Sequence, residues 1–85
     1  EVIFIQGLKD YAIIQTTTGK IVVKGSVKFM QELFPGPAFI RVHKSFIVAK
    51  NRVRKITRNQ LILGKYDIPI GRVYRDDLEK RIRQV

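Results

Sequence analysis

The sequence contains no cysteine. That excludes a disulfide framework and any zinc site built on thiolates, and it permits a reducing cytoplasm. Long apolar runs are also missing. Nothing approaches the roughly 18 consecutive apolar residues needed to span a bilayer as a helix, so no membrane is expected for this domain. The six glycines are scattered singly, so no glycine-rich phosphate loop is present. Histidine occurs once, and no further ligands stand at metal-binding spacing from it. His43 and Ser45 would share one face of a strand, but no nearby Asp could orient the ring, so a nucleophilic dyad is not indicated. The chain therefore holds no catalytic constellation and calls for no cofactor. It also lacks linkers, internal repeats and low-complexity tracts. Its 85 residues suffice for a single domain over positions 1–85 and are too few for two. Glu1-Val2-Ile3-Phe4 reads as a strand already under way, so the chain is expected to be a piece excised from a longer protein.

Acidic residues are scarce as well. Seventeen Lys and Arg stand against seven Asp and Glu, a formal net charge of +10 at neutral pH. Such an excess on a small domain favours a polyanionic partner. The charge is unevenly placed. Residues 1–40 carry four bases and three acids, whereas residues 41–85 carry thirteen bases and four acids. From Arg41 to Arg58 there are seven bases and no acid. The plain alternative, a basic surface kept for solubility, fits this less well because soluble surfaces usually mix both signs.

The apolar fraction of 45% is enough for a real core. Its patterning is mostly strand-like. Val2–Gln6 is β-branched and aromatic and predicts a strand, followed by a loop at Gly7–Asp10. Tyr11–Thr16 and Ile21–Lys24 predict two further strands around a turn at Thr17–Lys20. Val27, Met30, Leu33 and Phe34 recur at helical spacing behind Ser26, a good N-cap, and Pro35-Gly36-Pro37 ends that helix. Strand character returns at Phe39–Val42, Ser45–Ala49, Val53–Thr57 and Leu61–Leu63, with a hairpin turn at Arg58-Asn59-Gln60. Tyr66–Ile70 predicts another strand, which Pro69 assigns to a sheet edge. Arg72–Val85 reads as a helix. Tyr74, Leu78 and Ile82 line one face, Asp76 and Asp77 lie near its start, and Arg81 and Arg83 near its end, as the helix dipole favours. Repeated βαβ units are absent, so the expected class is all-β with one short internal and one C-terminal helix.

The stretch Phe39-Ile40-Arg41-Val42-His43-Lys44-Ser45-Phe46-Ile47-Val48 resembles the signature of the LytTR family of DNA-binding domains. Ile5–Ile14 resembles that family's first hairpin. Ile68-Pro69-Ile70-Gly71-Arg72-Val73-Tyr74 resembles its closing motif, and the Ser-started helix before Pro35 also fits. The resemblance implies an elongated arrangement of small antiparallel β-sheets that binds double-stranded DNA through loops in successive major grooves. It also implies a transcriptional role as the cytoplasmic output domain of a two-component response regulator, behind an N-terminal receiver domain. Binding as a dimer to paired or directly repeated promoter sites is implied too. Carried onto this chain, the contacts fall on Lys9 and Asp10, on Lys44 after His43, and on Arg72. Asp10 stands where the family often has Asn, which favours Lys9 as the base contact. Ala49 likewise stands where many members have Asn. Lys50, Asn51 and Arg52 follow it as phosphate candidates.

The chemistry of these residues suits that role. Arg72 can fork onto the O6 and N7 of guanine, and it stands where the terminal helix begins, with Arg75 one turn on to reach a phosphate. Its structural alternative is an ion pair with Asp76 at i+4. Lys44 offers a point charge to a base edge or a phosphate, and otherwise is simply solvated. His43 has both a donor and an acceptor to satisfy, which makes it a supporting residue first. Arg41 shares its strand face and can join a network or reach a phosphate. Tyr11, Phe39, Phe46 and Tyr74 have aliphatic neighbours and are read as core, not as base-stacking platforms. Two other functions remain open on composition alone: a β-rich RNA-binding module, and a basic protein-interaction domain.

Overall fold

The computed structural model describes residues 1–83. Eight short strands and two helices form two antiparallel sheets within Cα extents of 32 × 25 × 20 Å. The larger sheet contains β1 (Val2–Leu8), β2 (Tyr11–Thr16), β3 (Gly19–Lys24), β4 (Phe39–His43) and β5 (Phe46–Ala49), in the order β3-β2-β1-β5-β4. The smaller sheet is a meander of β6 (Lys55–Ile56), β7 (Gln60–Leu63) and β8 (Tyr66–Pro69). Pro69 lies on the edge strand β8, where its missing N–H costs no ladder bond.

Alternation along the strands sends neighbouring residues to opposite faces of the larger sheet, and each face is covered differently. Ile5, Ala12, Ile14 and Ile47 meet Met30 of helix α1 (Val27–Leu33) in one buried cluster. Phe4, Ile40, Val42 and Val48 meet Leu61, Leu63 and Ile68 of the smaller sheet, together with Leu78 of helix α2 (Arg75–Arg83), in the other. The larger sheet is thus a middle layer. Ser26 caps α1 as expected, its hydroxyl accepting from the Phe29 N–H at 3.1 Å.

Three expectations are corrected. Gly7 belongs to β1 and not to a loop, so the β1–β2 connection is only Lys9–Asp10. A Cβ at Gly7 would lie 2.8 Å from that of Val27, so glycine lets α1 pack onto the strand. The strand at Val53–Thr57 shortens to Lys55–Ile56 because a 3-10 turn at Lys50–Arg52 precedes it. The terminal helix opens as a 3-10 turn at Arg72–Tyr74, closed by the Tyr74 N–H on the Gly71 carbonyl at 3.0 Å. The last two residues of the expected helix, 84 and 85, lie outside the described residues.

Candidate functional site

Strand register decides which turns share an end of the larger sheet. Leu8 pairs with Tyr11, Tyr11 with Lys24, Gln6 with Phe46, and Phe46 with His43. The Lys9–Asp10 turn and the Lys44–Ser45 turn therefore project from the same rim, with Lys24 at the end of β3 beside them. Two strand spacings separate the hairpins, about 10 Å. The Gly71 N–H donates to the Val42 carbonyl at 2.7 Å, which places Arg72 against the same rim. Lys9, Asp10, Lys44 and Arg72 are all exposed.

Each turn is fixed by backbone bonds. Lys9 adopts φ 58°, the left-handed conformation that closes the two-residue connection. The Asp10 carbonyl accepts from the Gly25 N–H at 2.6 Å. Among the described residues the ion pairs are Arg52 with Glu1 at 3.4 Å and Arg81 with Asp77 at 2.7 Å. Arg72 has no ion pair with Asp76, so the i+4 alternative is not realised and its guanidinium is available. Among the described residues Lys9, Lys44 and Arg75 have no carboxylate partner either.

Arg41 is the internal tie of this rim. Its Nε donates to the His43 carbonyl at 3.0 Å and its Nη2 to the Lys44 carbonyl at 2.6 Å. Its Nη1 donates to Oε1 of Gln31 on α1 at 3.0 Å. The guanidinium carbon stands 5.5 Å from the centre of the Tyr74 ring, just past Arg72. One side chain thus links the Lys44 turn, α1 and the Arg72 turn. His43 has a local supporting role: its Nδ1 accepts from the Ser45 N–H at 3.1 Å, and its ring meets Phe46 edge-on at 5.6 Å.

Replacing Arg41 by methionine keeps much of the stem and removes four contacts at once. Hydrogen bonds from a charged donor contribute about 1.5–3 kcal/mol when buried, and partial exposure reduces this to about 1–2 kcal/mol for the set. We expect that loss of stability in denaturant unfolding, and faster hydrogen exchange at the Lys44 and Ser45 amides. Unchanged exchange at both amides would remove Arg41 from this positioning role.

Lys50, Asn51 and Arg52 are not brought to the rim. They form the 3-10 turn after β5, at the opposite end of the sheet, where the Lys50 N–H donates to the Ala38 carbonyl at 2.9 Å and Arg52 pairs with Glu1. Their proximity to Lys44 in sequence is undone by the length of β5, which carries the chain from one end of the layer to the other. Arg75 is at the rim, half-buried, its Nη2 donating to Asn59 Oδ1 at 3.2 Å.

Sequence reading missed Arg58, Asn59 and Lys24 as neighbours of the rim. Arg58 and Asn59 were legible as a turn, but only the tertiary bond from the Ile70 N–H to the Asn59 carbonyl, 2.9 Å, places that turn beside Arg72. Tyr11 was expected in the core and is 51% exposed. It points to the face of β2 opposite Ala12 and Ile14, and the smaller sheet covers that face only over β1, β5 and β4. Phe39 and Phe46 pack partly buried, as expected. Tyr74 is half-buried beneath Arg41.

Among the described residues no three His, Asp or Glu side chains stand together to hold a metal ion, and no helix is long and apolar enough to cross a membrane. The family model of the LytTr DNA-binding domain matches residues 1–83. Curated protein sequences give no match. Among solved structures, a LytTr DNA-binding domain from Bacillus cereus, described as part of a methyl-accepting/DNA response regulator, superposes with a TM-score of 0.84 at 23% sequence identity. The superposition covers 95% of this chain and 80% of that one, and at that identity it establishes a shared fold.

Proposed function

The chain belongs to the family of LytTr DNA-binding domains, and from that premise we propose that it binds double-stranded DNA sequence-specifically through the turns at Lys9, Lys44 and Arg72. The supporting observation is their meeting on one rim with, among the described residues, no carboxylate paired to any of the three side chains. Both hairpin turns are two residues long, narrow enough to enter a major groove about 12 Å wide. Lys9 and Lys44 supply base-edge or phosphate contacts. Arg72 supplies the bidentate one, and Arg75 a phosphate contact. Arg41 and His43 hold the Lys44 turn, and Asp10 shapes the first turn. Lys50, Asn51 and Arg52 fall outside this interface.

In this reading positions 1–85 are one DNA-binding domain, the output part of a two-component transcriptional regulator in the cytoplasm. Its role is binding and not catalysis. An N-terminal receiver domain would govern pairing of two copies on paired or directly repeated promoter sites.

Selection from random duplexes at fixed salt tests the proposal. A consensus should emerge, and log affinity for it should fall linearly with log salt. Neutralising about four phosphates gives a slope of roughly −3.6. Failure to enrich any duplex, or tighter binding to single-stranded RNA than to the selected duplex, would defeat it.

A further inference from the structure

Beside Arg72 lies a cleft of about 600 Å³ lined by Arg58, Asn59, Ile70, Arg72, Arg75 and Asp76. It joins residues from the β6–β7 turn, the end of β8 and the start of α2. Three guanidiniums face a single carboxylate, and none of the three is ion-paired among the described residues.

The walls are held in place. The Thr57 N–H donates to the Gln60 carbonyl at 2.9 Å, and the Gln60 N–H returns to Thr57 Oγ1 at 3.1 Å, which closes the turn carrying Arg58. The Ile70 N–H bonds the Asn59 carbonyl, so that turn is tied to the segment leading into Arg72. Asn59 Oδ1 takes one donor of Arg75. Of the five N–H donors of a guanidinium, this leaves Arg75 four to offer.

We infer that this cleft seats one backbone phosphate of the bound duplex, clamped between Arg58 and Arg75, an inference that rests on the DNA-binding reading above. Planar guanidinium forks match two oxygens of a phosphate, and two of them from different elements fix its position and not merely its charge. Asp76 offsets one of the three positive charges and Arg72 is committed to a base edge, so the single positive charge that remains matches the single negative charge of a phosphodiester. A seated phosphate also sets the register from which Arg72 reaches a base edge: positioning by the backbone, reading by the groove. Arg58 thereby gains a role that its place in a turn of the smaller sheet does not suggest.

The test uses the 85-residue chain and a duplex selected from a random pool. Arg58→Ala, on an exposed turn, should melt at the wild-type temperature. It should weaken binding about 3- to 10-fold at 0.1 M salt and flatten the log–log salt slope by about 0.9. Selected and scrambled duplexes should lose equally, so the specificity ratio stays put. Arg58→Lys should recover part of the loss. Scanning the duplex with single neutral methylphosphonates should reveal one position at which wild type and Arg58→Ala bind alike.

If wild type prefers the selected duplex, but Arg58→Ala binds it with unchanged affinity and slope, the clamp is wrong while the DNA-binding reading stands. If wild type shows no preference among duplexes, that reading itself fails. Saturation of the cleft by inorganic phosphate below millimolar concentration at fixed ionic strength, followed by amide chemical shifts, would make it a free-anion site and overturn the inference.

Discussion

Arg72→Ala is expected to erase most of the preference for a selected duplex over a scrambled one while leaving scrambled-duplex binding nearly intact. A bidentate arginine–guanine contact discriminates by about 1–3 kcal/mol, roughly 5- to 150-fold. Arg72 is exposed, carries no ion pair among the described residues, and grows from a backbone fixed on both sides, by Gly71 on the Val42 carbonyl and by Tyr74 on the Gly71 carbonyl. Loss of its side chain thus removes a reader without loosening its platform. Arg72→Lys should recover charge but little discrimination, because a lysine is a point charge and not a fork. Lys50→Ala, at the far end of the sheet, should change binding to either duplex by less than about twofold, within the range of surface substitutions away from a site. Competition titrations at a single salt concentration measure all three. Equal losses on both duplexes for Arg72→Ala would reassign the residue to the phosphates.

Leu78→Ala is expected to destabilise the domain by about 2–5 kcal/mol, the range for emptying a buried leucine site. Leu78 is 1% exposed and packs among Phe4, Ile40, Val42 and Val48 of one sheet and Leu61, Leu63 and Ile68 of the other. For a domain of this size the loss corresponds to a melting temperature lower by roughly 10 °C or more. Total stabilities of small domains are about 5–15 kcal/mol, so the variant approaches unfolding. Because α2 continues directly from the Arg72 turn, slackening its anchor should also weaken duplex binding at temperatures where the variant remains folded. Leu33→Ala, at a leucine 55% exposed on α1, should cost less than about 0.5 kcal/mol. Thermal melts followed by circular dichroism compare the two. Equal effects would mean that α2 is not held by this contact.

What the sequence made legible and what it concealed divide along a physical line. Elements whose signals are local were readable. Ser26 ahead of an i, i+3 apolar pattern marked α1, and Pro69 marked an edge strand. The strand-like composition of Tyr11–Thr16 and Phe39–Val42 marked strands. Gly7 misled because a glycine in a strand resembles a turn residue until the neighbour it accommodates, Val27, is known. The site divides the same way. Lys9, Lys44 and Arg72 were singled out from motifs; strand pairing unites the first two, and the Gly71 bond to Val42 brings Arg72 to them. Lys50 and Arg52 belonged to the same basic run as Lys44, yet charge runs carry no information about direction, and β5 points them away. The pairing of the Arg58–Asn59 turn with Ile70 is a tertiary bond that no local pattern announces. Tyr11 was misjudged because aliphatic neighbours in sequence say nothing about how far a second sheet extends over the first.

The size of the body sets a ruler for its target. The longest Cα dimension of the domain, 32 Å, is close to one turn of B-form DNA, whose repeat is roughly 34 Å. An operator whose recognised elements are a full turn or more apart outreaches a lone monomer. Should selection return such an operator, two or more copies of the domain are expected along it, and the footprint of bound protein should then grow in whole-domain steps.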